Sequence, residues 1–374
     1  MLNSQPPRVT WALLPDNQKR MIRYWVMGLA LLYSAFTLIA LGVVYKEKSH
    51  SDRTHEVRMS ADRTEPGLTP PDPIPETGAF VPVYVGIYID SIDTMSIKDS
   101  SWSATFFLWF RWQGDKNLDP AQNAQLVDAR VEKKEVLQRS TNESGMNYQR
   151  VRITARMFKS FNTVRVPLDD HLLTLAIEDG ANDVTKLRYI ADKESNFSSR
   201  VRIAGYDVTS FKTVVKNHTY RSNYGDPNDG ARKTFTEFTC GIKIARSSLG
   251  LYIKLLLALF AGITLTICSF FIRPPDAGAR FSLPTASYFG AVANSYTISS
   301  TLPSTGQFGL IDYVTALGLI TIFLCMGATL VSMYFHTRKQ EAFSKSLDRA
   351  TRITIGVAYV LANVSLPIVA FFRI

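Results

Sequence analysis

The sequence predicts a membrane protein: an extracellular or periplasmic β-sandwich followed by a four-helix transmembrane bundle, with one further transmembrane helix at the N-terminus. Three observations carry that fold class. Four nearly charge-free apolar runs each have the roughly 20 residues needed to cross a hydrocarbon core of about 30 Å as a helix. The stretch from Phe80 to Arg246 alternates apolar and polar residues with period two, as half-buried strands do. The short segments between the runs are basic, which the positive-inside rule reads as cytoplasmic.

The elements follow in chain order. Residues 1–23 form a cytoplasmic N-terminus. Tyr24–Tyr45 carries no charge and reads as an uncleaved anchor, because 23 residues precede it and no small-x-small cleavage site follows. Residues 46–79 are polar and end in a Pro-rich stretch, so they are expected to be a linker or stiff spacer. Residues 80–247 are the expected sandwich. Val83, Val85, Ile87 and Ile89 share one strand face, and Trp102, Ala104, Phe106, Leu108, Phe110 and Trp112 share the next. Val151, Ile153, Ala155 and Met157 alternate with Arg150, Arg152, Thr154 and Arg156. Further strands are expected at Leu172–Glu178, Tyr206–Val215 and Thr234–Arg246, with no helix among them. Residues 248–374 hold the bundle: Leu249–Ile272, the hydroxyl-rich segment Phe281–Leu302, Tyr313–Phe335 and Ile353–Phe372.

Of the formal net charge of +10, residues 1–24 carry +3, residues 273–280 carry +1 and residues 336–352 carry +3. Five spans place those three segments together on the cytoplasmic side of a plasma (inner) membrane and the C-terminus outside. The excess charge therefore marks orientation and argues against a nucleic-acid partner. Three cysteines in 374 residues exclude a disulfide scaffold. A phosphate-binding Gly loop, GxSxG, HExxH and CxxC are all missing, so no enzyme activity, metal or cofactor is expected. His50 and His55 read as solvated linker residues; His218 beside Asp226 and Asp229 reads as a solvated loop in preference to a metal site.

The hydroxyl-rich segment carries the most information. Ser282, Ala286, Phe289, Ala293, Tyr296 and Ser300 recur at spacings of four and three, one stripe of a helix. Such a stripe either lines water or packs against other helices through its small residues.

Several local patterns then fall in a fixed order: Phe107–Trp112 in an early strand, Val166-Pro167-Leu168-Asp169 between two strands, Arg246 directly before a span, Arg280 opening the hydroxyl-rich helix, Leu302-Pro303 closing it, and Asp312 before the next helix. The order resembles the pentameric ligand-gated ion channels of the Cys-loop receptor superfamily, over about residues 80–374, and especially their prokaryotic members. Lys159 and Leu173 stand where animal members have the cysteines of the loop disulfide.

The resemblance implies a homopentamer in membrane lipid, with no cofactor, that passes ions when a small-molecule ligand or protons bind. It implies a pore lined by the stripe, with Phe289 as a dewetting ring. Ala279 and Arg280 would bear on charge selectivity, the lone arginine looking closer to the anion-selective pattern. It implies coupling through Pro167, Leu168, Asp169, Arg246, Leu302, Pro303 and Asp312, with an Arg246–Asp169 ion pair. Phe107, Arg111, Tyr189, Tyr220 and Tyr224 would meet the ligand, through aromatic faces or through the guanidinium. Departures from the family pattern are Pro284 inside the pore helix, Ala258 at a usual proline, and the extra N-terminal span. The alternative reading is a non-conducting ligand sensor on the same scaffold.

Overall fold

The computed structural model describes residues 11, 14–64, 69–74, 79–222, 233–302 and 306–371. The chain divides into two compact units: residues 1–48, 163–169 and 248–374 in one, and residues 49–162 and 170–247 in the other.

The second unit is a two-sheet sandwich. The first sheet runs β4(Ala129–Thr141)-β5(Met146–Phe158)-β2(Ser101–Gln113)-β1(Val81–Ser96)-β7(Leu187–Ala191), with β8(Asn196–Phe197) also on β1. The second runs β3(Ala124–Val127)-β6(Asp170–Asp179)-β10(Thr234–Arg246)-β9(Tyr206–Thr219). Among the described residues only β7 and β8 pair in parallel, both with β1. The alternating apolar faces meet between the sheets: Val85, Ile87, Phe106, Phe110 and Ile153 from the first, Leu175, Ile177, Phe238 and Ile242 from the second.

Two features differ from the sequence expectation. A short helix, α2(Pro120–Asn123), sits inside the sandwich; Asp119 caps it by accepting the Gln122 N–H at 3.2 Å. Strand β4 carries Glu132, Lys133, Lys134 and Glu135 in a largely exposed edge, so it shows no apolar period.

The first unit gathers the helices. α1 spans Asp16–Arg58, α3 Gly250–Cys268 with a tight 3₁₀ turn at Ser269–Phe271, α4 Ala277–Thr301, α5 Leu310–Thr337 and α6 Glu341–Phe371. Among the described residues, α1, α3, α5 and α6 are long and apolar enough to cross a membrane. α1 packs on α5 and α6 in the opposite direction to α5. Tyr33 and Thr321 share a hydrogen bond of 2.6 Å, and the Phe36 and Tyr313 rings lie 6.1 Å apart. At the other end Trp25 Nε1 donates to Thr351 Oγ1 at 3.0 Å, and Leu14 and Ile22 pack on Phe343 and Leu347. Arg280 meets Asp348 at that same end, so the three basic segments lie together at one end of the bundle.

Residues 46–58, expected in the linker, instead continue α1. From Ser49 onward the chain belongs to the sandwich unit and lies on the outer face of the second sheet. Lys243 Nζ bonds Asp52 Oδ1 at 2.8 Å, and Met59 packs on Leu172 and Val214. Gly241 permits this approach, because a Cβ there would lie 2.5 Å from the Met59 sulfur. His55 is accordingly half-buried, not a solvated linker residue; its ligating atom lies within 4.8 Å of those of Asp52 and Asp170. Lys243 is 2.8 Å from Asp52 and 3.5 Å from Asp170, where its ammonium takes the place a metal cation would need.

Candidate functional site

α4 has two faces of different chemistry. Arg280, Pro284, Ser287, Ala291 and Ile298 are buried, at spacings that keep one side of the helix on the bundle. Ser287 Oγ fixes that side by donating to Gly262 O at 2.7 Å and Leu283 O at 2.9 Å. The opposite side is exposed: Ser282, Ala286, Phe289, Ala293, Tyr296 and Ser300 all reach the surface, Phe289 by 64% and Tyr296 by 80%. Pro284 lies on the buried side of one continuous helix.

Several hydroxyls of the free side bond back to helix carbonyls, Ser282 to Ala279 at 3.0 Å, Thr297 to Ala293 at 3.0 Å and Ser300 to Thr297 at 2.7 Å.

Arg280 departs from its expected place. Its side chain is fully buried, with Nη2 2.5 Å from Asp348 Oδ2 and its guanidinium 5.8 Å from the Phe270 ring centre. A group so placed is a tether between α4 and α6, not a charge on the free face. Ala279, its neighbour, is exposed.

The loop expected to couple the sandwich to the bundle lies against the α4–α5 connection. Leu310 N donates to Val164 O at 2.7 Å. Gly309 sits so close that a Cβ would fall 2.8 Å from the same oxygen. A cavity of about 210 Å³ opens between Thr163, Val166, Ile298, Leu302 and Ile311. Pro167, Leu168 and Asp169 are buried beside it in sequence, and Asp169 leads straight into β6. Asp312 caps α5, accepting the Gly309 N–H at 2.8 Å. The Arg246 guanidinium stacks on Tyr206, 3.9 Å from the ring centre. Pro303 lies outside the described residues.

The expected ligand residues do not form one group. Arg152 lies 5.5 Å over the ring of Phe107 on the outward face of the first sheet. Arg111 pairs with Asp192 at 2.5 Å. Burial alone raises the Asp192 carboxyl, but bonds from Trp109 and the Glu194 N–H, together with Arg111, hold it below the usual range. Tyr189 is a core residue, 3% exposed and packed on Phe110, so it is withdrawn from any surface pocket. Tyr220 lies on the outer face of the second sheet and donates to Glu178 Oε1 at 2.6 Å. Tyr224, Asp226 and Asp229 lie outside the described residues.

Sequence reasoning missed Asp348 and Glu178. The signal for Asp348 was an acid five residues before a charge-free run, and for Glu178 an acid at the end of an apolar strand.

No family model matches the chain. A proton-gated ion channel of Gloeobacter violaceus is 20% identical over 324 residues, which cover 81% of this chain and 87% of that protein. The chain is thus a distant homologue, over most of its length, of a proton-gated ion channel of the pentameric ligand-gated family.

Proposed function

We propose that the chain is the subunit of a homopentameric ion channel in the plasma (inner) membrane, opened by a small ligand or by protons. The free face of α4 carries the reading. Five copies around an axis would turn Ser282, Ala286, Phe289, Ala293, Tyr296 and Ser300 toward water and away from lipid. The hydroxyls wet the wall, and a ring of Phe289 forms a constriction that closes by dewetting. With Arg280 buried against Asp348, the stripe itself presents no fixed charge. Gating would run from the β9–β10 hairpin through the second sheet to Asp169 at the foot of β6. From there the 163–169 loop would act on Leu302 at the end of α4.

Purified protein in planar bilayers tests this. Single-channel currents are expected on acidification or with ligand, and Phe289→Ala should raise the open fraction by removing the constriction. Silence of both proteins under every condition, or a stable monomer by mass in detergent, overturns the channel reading.

A further inference from the structure

Two neighbouring strands, β6 and β10, bring like charges together on the outer face of the second sheet. Glu237 of β10 pairs with Lys216 of β9. On its other side β10 pairs Phe238 with Ile177, so one step along Glu237 lies directly opposite Glu178 of β6. Gln125 of β3 is the next residue in the row, opposite Glu178. Two carboxylates facing each other across paired strands repel, and one lysine cannot neutralise both. That lysine also donates to the carbonyls of Val57 at 3.0 Å and Arg63 at 3.2 Å.

Glu178 is the deeper of the two acids. It is only 4% exposed, Oε1 accepts the Tyr220 hydroxyl at 2.6 Å, and Oε2 has no hydrogen-bond partner among the described residues. Glu237 Oε1 accepts from Thr239 Oγ1 at 2.7 Å. His218 packs edge-on against Tyr220 at 4.7 Å, and Phe235 closes the other side at 5.6 Å. From β7 the buried Tyr189 hydroxyl feels the charge of Glu178; Asp179, next in the strand, turns its side chain toward the other sheet face and bonds the Ala181 and Asn182 N–H groups. A groove of about 520 Å³ lined by Asp62, Arg63, Lys216, His218, Tyr220 and Glu237 connects the row to solvent.

We propose that Glu178, opposed by Glu237, is a proton-binding site, and that Tyr220 carries its protonation state to the β9–β10 hairpin. Ionising both acids costs free energy in a half-dry site, so the pair keeps one proton to higher pH than a lone carboxyl does. Burial raises the Glu178 carboxyl, the Tyr220 bond opposes the rise, Glu237 adds to it and His218 offsets it. Protonation relieves the repulsion between β6 and β10; ionisation restores it and strengthens the Tyr220 bond by making it charge-assisted. The consequence for gating rests on the channel reading above, whereas proton binding does not.

Infrared difference spectra of the full chain in lipid nanodiscs across pH, read beside bilayer currents, test the site. A protonated-carboxyl band should titrate above the ordinary glutamate range and vanish in Glu178→Gln. Glu237→Gln should move its midpoint to lower pH and Tyr220→Phe to higher pH, and the pH of half-maximal current should follow in the same opposite directions. Opposite shifts from two mild variants protect the test from a misfolded Glu178→Gln. A titrating band with no current under any condition leaves the proton site standing and sinks the channel reading. Currents whose pH dependence is the same in all three variants, with an unchanged band, overturn the proton site and leave the channel reading intact.

Discussion

α4 and α6 differ in what they expose. From Ile353 onward the outward residues of α6 are Ile353, Val357, Val360, Leu361, Val364 and Ile368, an aliphatic surface suited to lipid. Those of α4 include Ser282, Thr285, Ser299 and Ser300 among small and aromatic residues. The inner faces differ in the reverse sense: α4 buries an arginine, and α6 supplies the carboxylate that meets it. Two helices of one bundle thus expose surfaces of different chemistry. Exposure by itself says nothing of function; under the channel reading proposed above, the hydroxyls exposed on α4 would face water and not lipid.

The comparison can be broken most severely at the tether. Asp348→Ala leaves the Arg280 guanidinium buried without its counter-charge, which is expected to cost about 3–5 kcal/mol. Thermal unfolding in detergent reads the loss, and adding Arg280→Met should restore most of it. An unchanged midpoint in the single variant would mean that α4 is not held to α6 through this pair.

A second contrast uses two alanines two residues apart. Ala291 is 1% exposed and Ala293 is exposed. Ala291→Leu overfills the bundle and should destabilise it by about 1–3 kcal/mol. Ala293→Leu should leave the midpoint nearly unmoved and reduce single-channel conductance by narrowing the free face. If the two variants behave alike in both measurements, α4 does not have two chemically distinct faces.

The smallest effect lies on α1. Tyr33→Phe removes the hydrogen bond to Thr321 and should lower stability by about 0.5–1.5 kcal/mol, with α1 still docked through Trp25 and Phe36. No change in the midpoint would place α1 away from α5.

Much of this was legible in the chain, for physical reasons that can be named. β1, β2 and β5 show because one face of each is buried and period-two alternation follows. The α4 stripe shows because its spacing returns to one face every three or four residues. The same arithmetic places Arg280 off the stripe: it lies two residues before Ser282, about 200° around the helix, and in phase with Pro284, Ser287 and Ala291. Its partner was not legible, since Asp348 is 68 residues away and only tertiary packing joins them. The C-terminal part of α1 was hidden by its polarity: residues 46–58 have no apolar period, and from Ser49 the chain lies on the second sheet through single contacts such as Asp52–Lys243 and Met59 on Gly241. β4 was hidden in the same way as an exposed edge. Tyr189 belonged to the core by its alternation with Leu187, a signal that the expected ligand role obscured.

The most direct test of two faces for two solvents is labelling of single cysteines by a charged, membrane-impermeant thiol reagent in reconstituted protein. The three native thiols, Cys240, Cys268 and Cys325, are first replaced by alanine. Cysteines at Ala286, Phe289 and Ala293 should react, at rates that change between the resting and the activated condition. Cysteines at Val357 and Leu361 should stay unlabelled. Equal protection of the α4 and α6 positions in every condition would contradict the account.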